Sequence, residues 1–161
     1  MSTIVIPASS GSFTEAPGFG SLTHPENAYA AEADGVFADA FGAPFSLFGF
    51  GSIGSDLVPD GSVISEVRVV FSAAKDGPAL QCEAQLAYEV VGNWYGDGEE
   101  YFSESTQTEH TLTYSSMDLA TLRGRTFGAA FGATGMGWDS THTYIDFVRL
   151  EVDFDILQPP S

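Results

Sequence analysis

Polar and apolar residues alternate with a period of two along three long segments of the chain: Val63–Phe71, Leu80–Val91 and Thr143–Ile156. Successive side chains of a β-strand point to opposite faces, so this alternation is typical of strands with one buried face. Shorter segments with the same signal are Phe45–Phe50, Glu109–Tyr114 and Thr126–Ala133. Most of the 18 glycines and eight prolines lie between these segments. The pattern predicts an all-β protein built as a two-sheet sandwich or a barrel.

The first 25 residues carry a different pattern, in which proline, glycine and serine separate small apolar groups. This composition predicts an extended N-terminal arm, residues 1–25, that becomes ordered against a partner. The β-sandwich domain is then expected over residues 26–157, and a proline-containing C-terminal tail over residues 158–161. The apolar residues of the arm that could anchor it to a partner are Ile4, Val5, Ile6, Phe13 and Phe19.

The last long segment contains a carboxylate on its apolar phase. Asp146 alternates in step with Tyr144 and Val148, so the pattern predicts that its side chain points inward. A buried carboxylate must accept hydrogen bonds or pair with a cation. We therefore expect Asp146 to tie the last strand to loop amides or to Asn27.

The same segment is apolar on its other phase as well. Ile145 and Phe147 alternate in step with Arg149 and Glu151, which makes both faces of the strand apolar at this point. Such a strand is covered either by a loop of its own chain or by another subunit. Ile145 and Phe147 are therefore candidate interface residues of a homo-oligomer, and a trimer is the favoured state.

The charge of the chain is strongly negative, with 22 acidic residues against five lysines and arginines and a net charge of −17. Nucleic-acid binding requires clustered cations, and none are present, so we expect no nucleic-acid partner. Binding to an anionic membrane surface is disfavoured for the same reason. High solubility, binding of divalent cations, docking on a basic partner and adaptation to a salty medium all remain compatible with this charge.

The sequence contains no set of residues that indicates catalysis. Gly-x-Ser-x-Gly does not occur, and the three histidines have no histidine or cysteine partner at metal-binding spacing. Cys82 lies on the apolar phase of a predicted strand, where burial makes a thiol unreactive. Asp97–Glu100 could attract calcium, but a solvated turn is the favoured interpretation. We therefore expect no enzyme, no cofactor and no metal site.

Several short motifs, taken in order, resemble a family of bacteriophage virion proteins. The motifs are Asn27-Ala28-x-Ala30, Asp34-Gly35-x-Phe37-Ala38, Phe48-Gly49-Phe50, Pro59-Asp60-Gly61-Ser62-Val63-Ile64-x-x-Val67-x-Val69, Phe127-Gly128 with Phe131, and Tyr144-Ile145-Asp146-Phe147-Val148. Together they span about residues 24–156. Their best-defined polar and glycine positions are Asn27, Asp34, Gly35 and Asp146, which we expect to form a structural tie.

The resemblance implies a jelly-roll-like antiparallel β-sandwich that serves as a virion structural component. Met1–Ile6 has neither a basic region nor a long apolar segment, so we expect synthesis in the host cytoplasm without export. A single domain without fibre repeats favours a capsid decoration (cement) protein that stabilises the phage head. Its expected partner is the major capsid protein or another virion protein.

Three alternatives remain open from the sequence. The first is a tail, baseplate or fibre accessory protein. The second is a carbohydrate-binding β-sandwich module, in which Trp94-Tyr95 and Tyr101-Phe102 would form an aromatic platform. The third is a jelly-roll hydrolase of the cupin type, which requires a set of histidine and glutamate metal ligands that the sequence does not provide.

Overall fold

The structure is a computed structural model that describes residues 1–157. Within that range it contains eleven β-strands, one short α-helix and three short 3-10 helices, Pro17–Phe19, Pro25–Ala28 and Trp138–Ser140. The strands are β1 (Ser2–Pro7), β2 (Ser10–Phe13), β3 (Gly20–Thr23), β4 (Ala38–Gly42), β5 (Ser46–Ser52), β6 (Ser62–Asp76), β7 (Gln81–Val90), β8 (Asn93–Phe102), β9 (Thr108–Thr113), β10 (Thr126–Thr134) and β11 (His142–Ile156); the helix is α1 (Leu119–Arg123).

The strands form two antiparallel sheets. The first sheet has the order β3-β4-β11-β6-β9, and β1 pairs with the second half of β11 beside β4. The second sheet has the order β2-β5-β10-β7-β8. The predicted all-β, jelly-roll-like two-sheet sandwich is therefore confirmed.

The core lies between the two sheets and is rich in phenylalanine. Phe71 of the first sheet and Phe131 of the second meet edge to face, with ring centroids 4.8 Å apart. Phe48 packs on Phe131 from β5 at 5.7 Å. All three side chains are fully buried, and each such ring contributes about 1.5–3 kcal/mol of transfer free energy. Aromatic burial therefore holds the sheets together.

The predicted N-terminal arm is part of the sandwich. β1 pairs with β11 over six residues, β2 pairs with β5, and β3 pairs with β4. The chain crosses from the first sheet to the second at Ala8, which is buried, and Ile4 and Ile6 pack against the core. The interpretation of residues 1–25 as an arm outside the domain is therefore wrong. The three strands are only four to six residues long and lie among prolines and glycines, so their alternation is too short to identify them from the sequence. The predicted tail, residues 158–161, lies outside the described residues.

The last strand contains a β-bulge that reverses its phase. Asp146 lies opposite Ser72 and Arg149 lies opposite Val70, so two residues on β11 face one residue on β6. Phe147, in the bulge, has a positive φ of 38°. Because of the extra residue, Ile145 and Val148 both point into the core and are fully buried. The prediction that Asp146 points into the core was therefore wrong.

Candidate functional site

The predicted structural tie holds one loop against the bulge of β11. Asp146 Oδ1 accepts a hydrogen bond from the backbone N–H of Glu32 at 3.2 Å, and Asn27 Nδ2 donates to Phe37 O at 3.2 Å. Partial burial raises the pKa of Asp146, and this backbone hydrogen bond partly opposes the rise. Asp146 and Asn27 thus anchor the same loop at different points, and the expected bond to a loop amide is present.

The other two residues of the predicted tie occupy the tip of that loop. Asp34 and Gly35 are exposed, Gly35 has a φ of 84°, and the turn is closed by the Val36 N–H donating to Ala33 O at 3.0 Å. They shape the turn between the two anchors and do not contact β11 through a hydrogen bond.

The predicted interface residues are separated by the fold. Ile145 is 0 % exposed in the core, so it is unavailable to a partner. Val5 is 51 % exposed on the outer face of the first sheet. Phe147 lies on that outer face, half-buried beneath the Arg149 guanidinium, 4.7 Å from its ring centroid. Arg149 therefore covers Phe147 in part.

Two further predicted interface residues belong to a small aromatic cluster. Phe13 and Phe19 each pack edge to face on Phe45, with centroids 6.1 Å apart in both pairs. Phe19 also stacks on Trp138 at 6.3 Å and remains 46 % exposed. These side chains close the edge of the sandwich, and only Phe19 offers a large apolar surface to a partner.

The outer face of the second sheet carries an open groove of about 210 Å³. Its floor includes Ala87 of β7 and Ala130 of β10. Ala87 lies opposite Gly128, and Ala130 lies between Leu47 and Gln85 in the register of β5, β10 and β7. A Cβ on Gly132 would lie 2.3 Å from Ala43 O, so only glycine lets the Ala43–Pro44 segment cross the sheet and form one wall. The lining residues are Thr14, Pro44, Phe45, Leu47, Gln85, Ala87, Trp94 and Ala130.

Trp94 forms the opposite wall of the groove. Its indole folds over the sheet so far that a Cβ on Gly128, two strands away, would lie 3.1 Å from Cζ3 of the ring. Trp94 nevertheless remains 42 % exposed. Gly128 therefore allows a large aromatic ring to lie on the sheet with part of its surface open to solvent.

Tyr114 supports the floor of this groove from inside the sandwich. Its hydroxyl lies 2.7 Å from Gly128 O and 2.9 Å from Ala87 O, and these two carbonyls share its single donor proton. Tyr114 is buried, and burial raises its pKa, so the hydroxyl stays protonated and available as a donor. It is a positioning residue for the strand pair on which Trp94 rests.

A pair of carboxyl groups flanks the groove. Glu83 points outward from β7 yet is only 6 % exposed, and it shares a hydrogen bond with Glu99 of β8. Burial, followed by this hydrogen bond and repulsion from Glu99, raises the pKa of Glu83 to about 7. The negative charge of Glu83 in turn raises the pKa of the neighbouring Tyr101.

The four aromatic residues of the predicted platform point in different directions. Trp94 and Tyr101 lie on the outer face of the second sheet, opposite Glu89 and Glu83 in the register of β7. Tyr95 stacks on Tyr88, at a centroid distance of 5.5 Å. Phe102 is buried in the core. Only one pair of the four can therefore share a binding surface.

The acidic segment predicted as a solvated turn, Asp97–Glu100, lies within β8. Asp97 accepts hydrogen bonds from the backbone N–H and hydroxyl of Ser115, at 2.9 and 2.8 Å. Across residues 1–157, no group of three or more histidine, cysteine, aspartate or glutamate side chains could hold a metal ion. No helix within the same range is long and apolar enough to span a membrane.

Comparison with known proteins shows the fold and no family. Neither protein-family descriptions nor curated sequences match the chain. Among solved structures, the chain is similar to the CBM22-1 and GH10 modules of endo-1,4-β-D-xylanase 10B from Clostridium thermocellum, complexed with xylohexaose: TM-score 0.51, 11 % identity, 96 % of this chain and 29 % of that chain. The chain thus spans less than a third of the length of that xylanase structure.

Two weaker similarities are to proteins of different roles. A carbohydrate-binding module of family 4 gives a TM-score of 0.49 at 14 % identity, over 94 % of this chain and 86 % of that one. The coat protein of Tobacco streak virus gives 0.34 at 12 % identity, over 99 % and 90 %. The similar structures thus include binding modules and a coat protein, and none of the comparisons identifies a bacteriophage family.

Proposed function

We propose that the protein is a non-enzymatic structural component of a bacteriophage virion and, more specifically, a decoration protein that stabilises the head. One observation carries the proposal. The loop between the first two motifs that resemble phage virion proteins is tied to the last of these motifs at the bulge of β11. Asp146 and Glu32 are separated by 114 positions and joined by a hydrogen bond. A contact between the regions that carry these motifs supports the proposal.

A second motif of the resemblance has a comparable structural role. Pro59-Asp60-Gly61 precedes β6, the strand that pairs with the whole of β11. Asp60 forms an ion pair with Arg123 of α1, which fixes this turn against the helix. The motifs therefore define the entry to β6 and the bulge opposite its middle. The register of the β6–β11 pair shifts at this bulge.

The proposed partner is the major capsid protein or another virion protein, and the protein itself is proposed to form homo-oligomers, with a trimer favoured. Of the predicted interface residues, Val5 and Phe19 are exposed, and Phe147 lies half-buried on the outer face of the first sheet. The net charge of −17 favours a partner surface that carries cations over nucleic acid or an anionic membrane. Synthesis in the host cytoplasm and final location on the virion complete the proposal.

The test begins with particles banded from a lysate of the phage that encodes this chain. Mass spectrometry should find the protein in stoichiometric amounts, and immunogold labelling should decorate heads. Label confined to tails would favour the tail, baseplate or fibre alternative, and absence from particles would overturn the proposal. Analytical ultracentrifugation at micromolar concentration tests the trimer, which a monomer at every concentration would exclude.

A second candidate function, carbohydrate binding, is favoured by the exposed indole of Trp94 beside an open groove. An aromatic face with apolar walls and a few polar groups is a common form of small-ligand site. The test is binding of soluble oligosaccharides to the purified protein by isothermal titration calorimetry. Absence of binding across a broad panel would remove this candidate and leave the virion role untouched.

A further inference from the structure

We infer that the groove between Trp94 and Pro44 binds a single pyranose ring of a neutral glycan, stacked on the indole. This inference rests on the second candidate function and assigns it a site and a ligand class. Three features of the groove carry it: an aromatic ring fixed in orientation, polar groups placed at its side, and acidic flanks.

The indole is held ready for stacking before any ligand arrives. Its ring lies over Gly128, where a Cβ would lie 3.1 Å from Cζ3 and would push the ring outward by a few tenths of an ångström. Tyr114 holds the carbonyls of Gly128 and Ala87 beneath it. The C–H face of a pyranose is apolar, and its polarised hydrogens are attracted to the negative face of an aromatic ring. A ring already fixed in place loses little conformational entropy on binding.

The polar groups of the groove match sugar hydroxyls. Gln85 is exposed, and its amide offers both donors and acceptors. The Thr14 hydroxyl donates to Phe45 O at 3.1 Å, which leaves its oxygen lone pairs available to accept. Gln85 and Thr14 line opposite sides of the groove, on β7 and just beyond β2. Gln85 therefore offers hydrogen bonds on the Trp94 side of the groove, and Thr14 offers an acceptor on the far side.

The charges around the groove exclude acidic sugars. Glu89 lies opposite Trp94 in the β7–β8 pairing, and Glu99 lies opposite Gln85. None of the lining residues is a lysine or an arginine. A carboxylate or sulfate on the ligand would meet these glutamates without a compensating cation. The groove therefore selects neutral sugars against uronic acids, sialic acid and sulfated units.

The size of the groove limits the number of sugar units it holds. Its volume of about 210 Å³ is below the range of roughly 300–1,000 Å³ for pockets that enclose a drug-sized ligand. One ring fits against Trp94, and further units of the chain extend over the open sheet. Affinity should therefore rise little beyond a short oligosaccharide.

The experiment is calorimetric titration of neutral hexasaccharides, including xylohexaose, and of oligogalacturonate and sialyllactose as acidic ligands. Wild-type protein should bind at least one neutral ligand and none of the acidic ones. Trp94→Ala should weaken binding about tenfold or more, and Gln85→Ala should weaken it several-fold. Trp94→Phe should recover part of the affinity. The control Tyr95→Ala, at the adjacent and similarly exposed aromatic residue on the other face of β8, should leave the affinity unchanged. Circular dichroism verifies that each variant is folded.

The possible outcomes separate the site from the function. Glycan binding that survives Trp94→Ala overturns this groove as the site while leaving carbohydrate binding intact. Tighter binding of acidic sugars overturns the selection by charge. No binding to any ligand removes both the site and the second candidate function.

Discussion

The carboxylate of Asp146 and the backbone N–H of Glu32 are joined by a hydrogen bond of 3.2 Å that fixes the loop over the bulge of β11. We expect Asp146→Ala to lower the free energy of unfolding by about 1–2 kcal/mol, because the amide loses its acceptor. Asp146→Asn keeps an acceptor and removes a partly buried charge whose pKa is raised, so its stability should equal or exceed that of wild type. Urea denaturation measures both. Equal losses in the two variants would argue against the hydrogen bond as the cause.

The positive φ of Phe147 predicts an unusual order of side-chain preference. Residues branched at Cβ are strained in the left-handed region, whereas asparagine tolerates it. Phe147→Val should therefore be less stable than Phe147→Asn by about 1 kcal/mol or more, although valine is the more hydrophobic. At the neighbouring Ile145, which is buried and extended, the valine variant should instead be more stable than the asparagine variant. Ile145→Val should lower the free energy of unfolding by about 0.5–1.5 kcal/mol, and Ile145→Asn should lower it far more. Thermal unfolding of the four variants decides the matter.

The pairing of β1 with β11 predicts that the N-terminus is essential for folding. Deletion of residues 1–25 should yield an unfolded or aggregated chain, since it strips strands from both sheets. Ile6→Ser should lower the free energy of unfolding by about 1–3 kcal/mol. Val5→Ser, on the solvent side of the same strand, should change it by less than about 0.5 kcal/mol. A folded truncated protein, judged by circular dichroism and denaturant titration, would contradict this role of β1.

The Glu83–Glu99 pair predicts a stability that falls as pH rises. The pKa of Glu83 in the folded protein is raised from 4.5 to about 7, so between these values the folded state binds more protons than the unfolded state. The free energy of unfolding should therefore fall by up to about 1.4 kcal/mol per pH unit in this window and level off above it.

Glu83→Gln removes this titration while all other acidic groups remain. The difference in unfolding free energy between variant and wild type should grow from pH 4.5 to pH 7, in favour of the variant. Denaturant titrations at several pH values provide the comparison. A difference that is constant with pH would show that Glu83 does not titrate in this range.

Much of the fold follows from alternation alone, because long strands repeat the signal many times. In β6 and β7, Val67, Phe71, Cys82 and Leu86 lie on the predicted inward phase and are buried, whereas Val63, on the same phase at the start of β6, is 48 % exposed. The bulge in β11 escapes this logic. A single extra residue is stabilised by partners distant in sequence. Alternation before the bulge places odd-numbered residues such as Ile145 inward, whereas alternation after it places even-numbered residues such as Val148 inward.

The groove could be predicted only in part. All outward-facing residues of β10 are small, which indicates that another part of the chain packs on that face of the sheet. The orientation of Trp94 and its proximity to Gly128 depend on the β7–β8 register, which shifts at an irregularity between Gln85 and Ala87. No local pattern encodes that shift, so the predicted platform mixed outward and inward aromatic residues.

The position of β11 in the middle of the first sheet has a consequence for biosynthesis. β1, β4 and β6 all pair with β11, and the Thr3 hydroxyl donates to Asp153 across 150 positions of sequence. At about 5–20 residues per second, a ribosome needs about 7–30 s to move from β1 to β11. Until β11 is synthesised, the edges of β1, β4 and β6 that pair with it in the folded protein have no partner strand. The first sheet therefore closes only after the last strand has emerged, and the nascent chain exposes unpaired strand edges to chaperones throughout its synthesis.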